Sequence, residues 1–265
     1  MSEVGVTERF ARLVAAAHGP GFRLDEACLL VAAHADPGLD PDEGLAELDA
    51  IAAGCRTPTL DGLRAHLYED LGFRGNRTHY YDPRNSLLHE VLRRRTGIPI
   101  TLAVVTMEVG RRVGVPLAGV GMPGHFLLRD QVDRTVFVDP FDGRELDAQG
   151  CRARYEAIHD ADAAFDPAYL EPVEATAIVR RVLTNLALVY NRERDRPALT
   201  WVLRLLALLP EATVQDHTRV ARMLTASGAF GEAAAHFERM AEMSDDADEA
   251  QKARTRATRL RARLN

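Results

Sequence analysis

Hydrophobic and polar positions alternate with a helical spacing over most of the chain. The stretch from residue 3 to about 72 has this spacing, and Asp40 followed by Pro41 is typical of an N-cap and a first helical position. Thr57-Pro58 predicts a similar start for the next helix. Further on, apolar residues recur every three or four positions from Ile100 to Val113, and Gly114 follows as a C-terminal stop. The pattern predicts an N-terminal group of helices and a separate apolar helix over 100–113.

Two short runs rich in β-formers, 125–129 and 135–139, come directly after this apolar helix. A polar loop separates them, so we predict an antiparallel hairpin. A register symmetric about Val132 places His125 opposite Asp139, where a carboxylate can accept a hydrogen bond from an imidazole. Such a pair is the base and its orienting group in a catalytic triad. On spacing alone, the simpler alternative is a histidine at the end of a strand and an aspartate that forms a turn.

The segment between the N-terminal helices and the apolar helix carries several polar residues of interest. Asn85 or Ser86 is placed to cap a helix over the sequence SLLHEVLRRR, and Gly97 and Pro99 then interrupt the chain. We expect Asn85, Ser86 and Glu90 to lie near a cleft or to brace the loop before Gly97. Simple N-capping, with Glu90 on the surface, explains the same residues equally well.

Strand signals end near residue 147, and the remainder has a helical pattern. We therefore predict two domains, residues 1–165 and 166–265. The segment from Gly228 to Phe237 has the spacing of small and aromatic residues found in a tetratricopeptide repeat, but it occurs once. Because at least three stacked repeats are normally needed for stability, we expect a packed helical appendage.

Composition narrows the classes of partner. The formal charge of −6 and the pI near 5.9 argue against nucleic-acid and membrane binding, which require a basic surface. The three cysteines, Cys28, Cys55 and Cys151, are widely spaced and follow no metal-ligand pattern. We expect free thiols, no metal and no cofactor. Without a signal-type segment or a long apolar run, the expected location is the cytoplasm.

Three motifs occur together in the order GIPIT, PGHFLLR and VDPFDG. In this combination the chain resembles the transglutaminase-like superfamily, and more closely its bacterial SirB-type branch. The later stretch LTNLALVYNRERDRPALTWVLRLLALLP is similar to the helical tail of that branch. The resemblance implies an α+β, mostly helical fold: a papain-type transglutaminase-like core with a small antiparallel sheet, followed by an all-α tetratricopeptide-like region.

The resemblance also implies roles for individual residues. Active members begin the core helix with a cysteine, and a histidine and an aspartate follow on consecutive strands; His125 and Asp139 match the latter two. An ungapped match of the helix places Pro99 at the cysteine position. Thr101 is the nearest hydroxyl, but on a helix it points roughly 200° away from position 99.

We therefore expect a degenerate transglutaminase-like protein that is not an enzyme. In this interpretation the protein is a regulatory module that binds a peptide or protein, with Asn85, Ser86, Glu90 and Pro99 at the binding cleft and the helical tail as a second recognition surface. The alternative is an amide-bond hydrolase or acyltransferase that uses Thr101, His125 and Asp139. A third interpretation is a structural subunit of a larger assembly. The oligomeric state is left open.

Overall fold

The computed structural model describes residues 3–17, 22–159 and 163–264, which are mostly helical and include two small sheets. The chain divides into two compact units, Met1–Asn185 and Leu186–Asn265. The division into domains at residues 165/166 stays a prediction. In the described part of the chain, no helix combines the length and apolarity needed to cross a bilayer.

The described residues of the first unit form seven complete α-helices. They are α1 (Glu3–Ala15), α2 (Leu24–Ala35), α3 (Pro41–Gly54), α4 (Leu60–Arg64), α5 (Leu88–Arg94), α6 (Pro99–Val113) and α7 (Ala148–Glu156), and α8 (Ala175–Glu193) continues into the second unit. A π-helical segment (Ala65–Asp70) and two 3₁₀ helices (Pro83–Asn85 and Pro167–Leu170) complete it.

Two predicted helix starts have different outcomes. The Asp40 side chain accepts a hydrogen bond from the Asp42 N–H at 3.0 Å, which confirms the predicted cap of α3. The helix predicted to begin at Thr57-Pro58 begins later, because Thr59 provides the capping hydroxyl for α4.

The main sheet is antiparallel and has four strands in sequence order. The strands are β1 (Arg74–Gly75), β2 (Thr96–Gly97), β3 (Leu117–Val120), β4 (Leu127–Asp130), β5 (Phe137–Asp139) and β6 (Arg144–Leu146); β3 to β6 form this sheet, and β1 pairs with β2 in parallel. Sequence reasoning predicted only the central hairpin of β4 and β5. It missed β3, whose sequence LAGV contains two weak strand formers, and β6, which is short and polar.

The hairpin register differs from the predicted one by two residues. Leu128 pairs with Val138, whereas symmetry about Val132 paired Phe126 with Val138. The Asp130 carboxylate accepts hydrogen bonds from the backbone N–H groups of Val132 and Asp133 and shapes a turn centred one residue later. A shift of two residues leaves each side chain on its predicted face, because the strand period is two.

Helix α6 forms the centre of the first unit. It packs against α2, α3, α5, β3 and β4, and its apolar positions are almost completely buried. It begins at Pro99 and ends where Gly114 adopts a left-handed conformation with φ of 80°. The predicted core helix over 100–113 is confirmed.

The second unit is a series of helices that each pack against the next. After the end of α8 come α9 (Arg196–Leu208), α10 (Val214–Ala226), α11 (Phe230–Met243) and α12 (Ala247–Arg261). Buried apolar residues such as Leu206, Val220 and Phe237 form the interior of this unit.

Candidate functional site

His125 and Asp139 lie side by side in the first unit. His125 follows the Pro123-Gly124 turn and precedes β4, and Asp139 is the last residue of β5. Gly124 has φ of 75°, a conformation that other residues adopt only with strain. The His125 Nε2 atom is 2.9 Å from Asp139 Oδ1, and the two residues are 9% and 1% exposed. The turn brings the histidine onto the carboxylate even though it stands outside the strand.

Asp139 accepts hydrogen bonds from three donors. Besides His125, the Phe141 N–H donates to Oδ1 at 2.9 Å, and Arg154 from α7 donates to Oδ2 with its Nε at 2.8 Å and with its Nη2. Burial raises the pKa of Asp139, but the hydrogen bonds from His125, Phe141 and Arg154 outweigh it, so its pKa lies below the usual value. The carboxylate is therefore charged at neutral pH and already neutralised by a guanidinium.

The charged carboxylate fixes the tautomer of His125. A carboxylate only accepts, so Nε2 carries the proton, and in the neutral ring Nδ1 holds the free electron pair. Within the described chain, Nδ1 makes no hydrogen bond. This nitrogen is the atom of His125 that could take a proton from a neighbouring group.

The first turn of α6 contains no thiol. Pro99 is the first residue of the helix and is buried. The Thr101 side chain is also buried, and its hydroxyl donates to the Asn85 carbonyl oxygen at 2.6 Å while it accepts from the Ile98 N–H at 3.3 Å. Thr101 thus closes the helix start and is already hydrogen-bonded, with its proton directed at backbone.

Asn85, Ser86 and Glu90 differ in what they contact. The fully buried side chain of Asn85 donates to the carbonyl oxygens of His79 and Tyr80 and accepts from Asn76 and Arg94, so it holds the 76–82 loop in place. Ser86 is buried, and Glu90 pairs with Arg93 at 2.7 Å. In the described chain, none of these three side chains hydrogen-bonds to His125 or Asp139.

The predicted capping role of Asn85 and Ser86 is wrong. Asn85 ends the 3₁₀ helix, which Asp82 caps through the Arg84 N–H, and α5 starts after Leu87 without a side-chain cap. The Asn85 side chain is used for loop contacts instead.

A short strand links the pair of His125 and Asp139, hereafter the dyad, to the start of α6. The Gly75 N–H donates to the Phe141 carbonyl at 2.7 Å, and the next N–H, of Asn76, donates to Gly97 at 2.8 Å. A Cβ atom at Gly75 would lie 2.1 Å from the Phe141 ring, so only glycine allows this approach. Strand β1 therefore connects the turn after Asp139 with the residues just before Pro99.

Several residues that sequence reasoning missed surround the dyad. Arg181 of α8 donates to the His125 carbonyl at 2.8 Å and lies over the Phe126 ring. Burial raises the pKa of Tyr80, and the nearby charge of Arg181 opposes this shift. Arg77 lies over the Phe141 ring, 5.3 Å from its centroid, and that ring is edge-on to His125 at 6.5 Å.

Only the two phenylalanines carried a usable signal in the sequence. Phe126 belongs to the motif PGHFLLR and Phe141 to the motif VDPFDG, while Arg77, Tyr80, Arg154 and Arg181 stand in segments whose orientation depends on tertiary packing. Helix α7 has no marked apolar face; α8 has one, but its pattern does not indicate that Arg181 contacts the His125 carbonyl.

None of the cysteines has the surroundings of a nucleophile. Burial raises the pKa of the Cys28 thiol, and burial near Asp147 and Asp139 raises that of Cys151 to about 12. Cys55 donates to the Thr57 carbonyl at 3.5 Å. Across residues 3–17, 22–159 and 163–264, no three potential metal ligands cluster closely enough to hold an ion.

Comparison with known proteins gives a consistent set of relatives. The model of the transglutaminase-like superfamily matches residues 23–184. A UPF0162 protein of Xylella fastidiosa (strain Temecula1) is 46% identical over 157 residues, which cover 57% of this chain and 56% of that protein. A UPF0162 protein of Pseudomonas aeruginosa is 34% identical over 178 residues, or 63% of this chain and 65% of that protein.

A shorter match is found in a mouse protein. F-box only protein 21 of Mus musculus is 44% identical over 96 residues, which cover 36% of this chain and 15% of that protein. The matches span less than two thirds of the length of each of these relatives. No solved structure matches the chain.

Proposed function

The chain belongs to the transglutaminase-like superfamily, and from this premise we propose that it is a non-enzymatic member whose His125–Asp139 site binds a segment of another protein. The proposal includes the SirB-type branch, a papain-type core and a cytoplasmic location. The first turn of α6 carries the proposal. Acyl transfer on this fold depends on a thiolate at that helix start, where the dipole stabilises negative charge, and the ungapped match of the helix gives Pro99, the first residue of α6, in place of the cysteine.

The surroundings of Asp139 also favour binding over catalysis. In a triad, the aspartate stabilises the imidazolium that forms when the histidine takes a proton. Here the Asp139 carboxylate is shared between His125 and Arg154, whose Nε donates to Oδ2 at 2.8 Å, so it is not dedicated to the histidine. The pair is better suited to hold a fixed geometry than to cycle a proton.

The alternative of a threonine nucleophile would require Thr101 to break existing contacts. Its hydroxyl donates to Asn85 O at 2.6 Å in a buried setting. Turning it toward His125 would leave the Asn85 carbonyl without this donor, which costs about 1–3 kcal/mol. A hydroxyl held in this way supports a structural role for Thr101.

The groups around the dyad suit a ligand that carries a carboxylate. Arg181 hydrogen-bonds only carbonyl oxygens of Met122 and His125 and has no carboxylate partner in the described chain. The Arg77 side chain is 73% exposed. Its ion-pair contact with Asp142 is long, at 4.0 Å. The neighbouring Tyr80 and Tyr81 are 42% and 52% exposed and would add aromatic contact area.

The helical second unit is the proposed second recognition surface. Helices α9 to α12 are of similar length and pack in sequence order, which supports a tetratricopeptide-like arrangement. The short connections between them are typical of stacked helix pairs.

Two measurements on the full chain test the proposal. First, amine-incorporation and amide-hydrolysis assays are run on the wild type and on a variant in which Cys28, Cys55 and Cys151 are alanine, and we expect no turnover by either. Turnover that alkylation abolishes would contradict the non-enzymatic assignment. Alkylation-resistant turnover lost in Thr101→Val would establish the alternative instead.

Second, a random dodecapeptide display library is selected on the immobilised wild type. We expect enrichment of carboxylate-containing peptides whose affinity falls about three- to tenfold in Arg77→Gln and in Tyr80→Ala. Arg134→Gln removes one exposed arginine elsewhere in the same unit and is expected to leave affinity unchanged. No enrichment, or equal losses in all three variants, would contradict binding at the dyad.

A further inference from the structure

The second unit contains a groove of about 410 Å³ between α10 and α12. Its apolar residues include Phe237 and Leu260, which are 6% and 7% exposed. Three arginines also line it: Arg222 from α10 and Arg256 and Arg259 from α12. The groove is therefore apolar in its interior and positively charged at its edges. Its volume lies within the range of roughly 300–1,000 Å³ usual for ligand sites.

The charge of these three arginines is not balanced locally. Within the described chain none of them forms an ion pair, whereas Arg204 pairs with Glu232 at 2.6 Å and Arg261 pairs with Glu238 at 2.6 Å in the same unit. Arg256 is instead positioned over the Phe237 ring, 5.8 Å from its centroid. On a chain of net charge −6, this is a local excess of positive charge around an apolar surface.

We propose that this groove binds an acidic segment of a partner protein that inserts one apolar side chain between α10 and α12. Carboxylates of the segment would pair with Arg222, Arg256 and Arg259, and the apolar side chain would contact Phe237 and Leu260. This site lies in a different unit from the dyad and does not depend on the function proposed for it.

Two alternative roles for the arginines fit the structure less well. Arg259 stands in the last turn of α12, where a positive charge is favourable for the helix dipole, but Arg222 and Arg256 stand before the last turn of their helices. Single-stranded nucleic acid needs several aromatic faces on which successive bases can stack, and Phe237 is the one aromatic ring that lines the groove.

The test uses three labelled probes and the full chain. One is a 16-residue helical peptide with glutamates on one face and leucines on the other; the second has every leucine replaced by alanine; the third is a single-stranded oligonucleotide. We expect saturable binding of the first peptide by fluorescence anisotropy and at least about fivefold weaker binding of the alanine peptide. We expect no saturable binding of the oligonucleotide.

Matched variants locate the binding. Arg259→Gln is expected to lower the affinity for the first peptide about three- to tenfold. Arg254→Gln removes the same charge from α12 outside the groove and is expected to have little effect on this affinity. Ala226→Trp fills the groove from its exposed side and should abolish binding without altering the thermal melt.

Three outcomes would overturn the inference. Absence of saturable binding up to about 1 mM of the first peptide would exclude an affinity of biological use. Equal losses in Arg254→Gln and Arg259→Gln would indicate diffuse charge attraction. Tighter binding of the oligonucleotide than of the peptide would assign the patch to nucleic acid.

Discussion

Arg154 supplies the guanidinium that pairs with the buried carboxylate of the His125–Asp139 dyad. It donates to Asp139 from α7, and the carboxylate it neutralises is 1% exposed. Removing one partner of a buried charged pair leaves the other charge without compensation. The arginine therefore stabilises the fold around the site as well as its geometry.

We predict that Arg154→Gln lowers the free energy of unfolding by about 1–3 kcal/mol, because Asp139 loses a charged donor. Arg152→Gln, two positions away on α7, breaks an exposed pair with Glu156 and should change the free energy of unfolding by less than about 0.5 kcal/mol. Urea unfolding at pH 7 measures both. Equal effects of the two substitutions would show that the Arg154 contact contributes little.

A second prediction concerns the helix start. Pro99→Cys places a thiol at the first position of α6, where the helix dipole favours the thiolate, and the proposed match to the superfamily expects His125 to face this position. We expect iodoacetamide to modify this variant at pH 6.5 at least about tenfold faster than it modifies Cys55 in the wild type, by mass spectrometry. The rate should fall in the double variant with His125→Ala. A rate independent of His125 would mean that the dyad does not face position 99.

The connections between elements decide whether the site is assembled. Strand β1 contacts both the turn after β5 and the residues before α6, and its Gly75 leaves no room for a side chain against Phe141. A substitution in β1 therefore changes the position of the dyad through the backbone hydrogen bonds of Gly75 and Asn76.

Gly75→Ala is predicted to destabilise the first unit by about 1–3 kcal/mol, since the added Cβ would overlap the Phe141 ring. Replacing that ring with the smaller leucine side chain, in Gly75→Ala/Phe141→Leu, should restore part of the lost stability. Thermal denaturation of the four members of this double-mutant cycle measures the coupling. Additive effects would contradict direct contact between the two positions.

Element by element, the sequence predicts what depends on local chemistry. Asp40 and Gly114 mark real helix ends because capping and left-handed turns require particular side chains. The sequence predicts the hairpin but not its register. The Asp130 side chain shapes the turn through hydrogen bonds that no pattern of alternating residues reveals. The Arg154 contact with Asp139 depends on how α7 packs, which is a tertiary property.

At the scale of the whole molecule, the second unit contains a pair of histidines that makes its stability depend on acidity. In the second unit, His217 Nδ1 and His236 Nδ1 are 2.9 Å apart, so at most one of these nitrogens carries a proton. Burial and the neighbouring His217 lower the pKa of His236 to about 4, against a smaller opposing effect of Glu232, and Arg204 lowers it further. Burial and Arg239 also lower the pKa of His217.

We predict a loss of stability in the second unit on acidification. Unfolded His236 takes up a proton near pH 6.5, and the folded residue takes it up only near pH 4. The unfolded state therefore binds more protons between these values. The contribution of His236 to the free energy of unfolding is present above about pH 6.5 and is lost as the pH falls to 4. The loss is on the order of 1–3 kcal/mol after allowance for partial exposure.

Urea unfolding of the wild type and of His236→Gln at intervals between pH 4 and 7 isolates this contribution from that of the carboxylates. The difference between the two curves should shrink or reverse toward pH 4. A difference that is constant with pH would contradict the depressed pKa.

The contact between β1 and the turn after β5 also has a consequence for folding kinetics. It joins segments far apart in the sequence, on either side of α6, whereas α9 to α12 each contact their sequence neighbour. Chains rich in local contacts fold faster, because less loop-closure entropy is lost before contacts form. The dyad region should therefore be completed after the rate-limiting barrier, and Gly75→Ala should speed unfolding while leaving the refolding rate nearly unchanged.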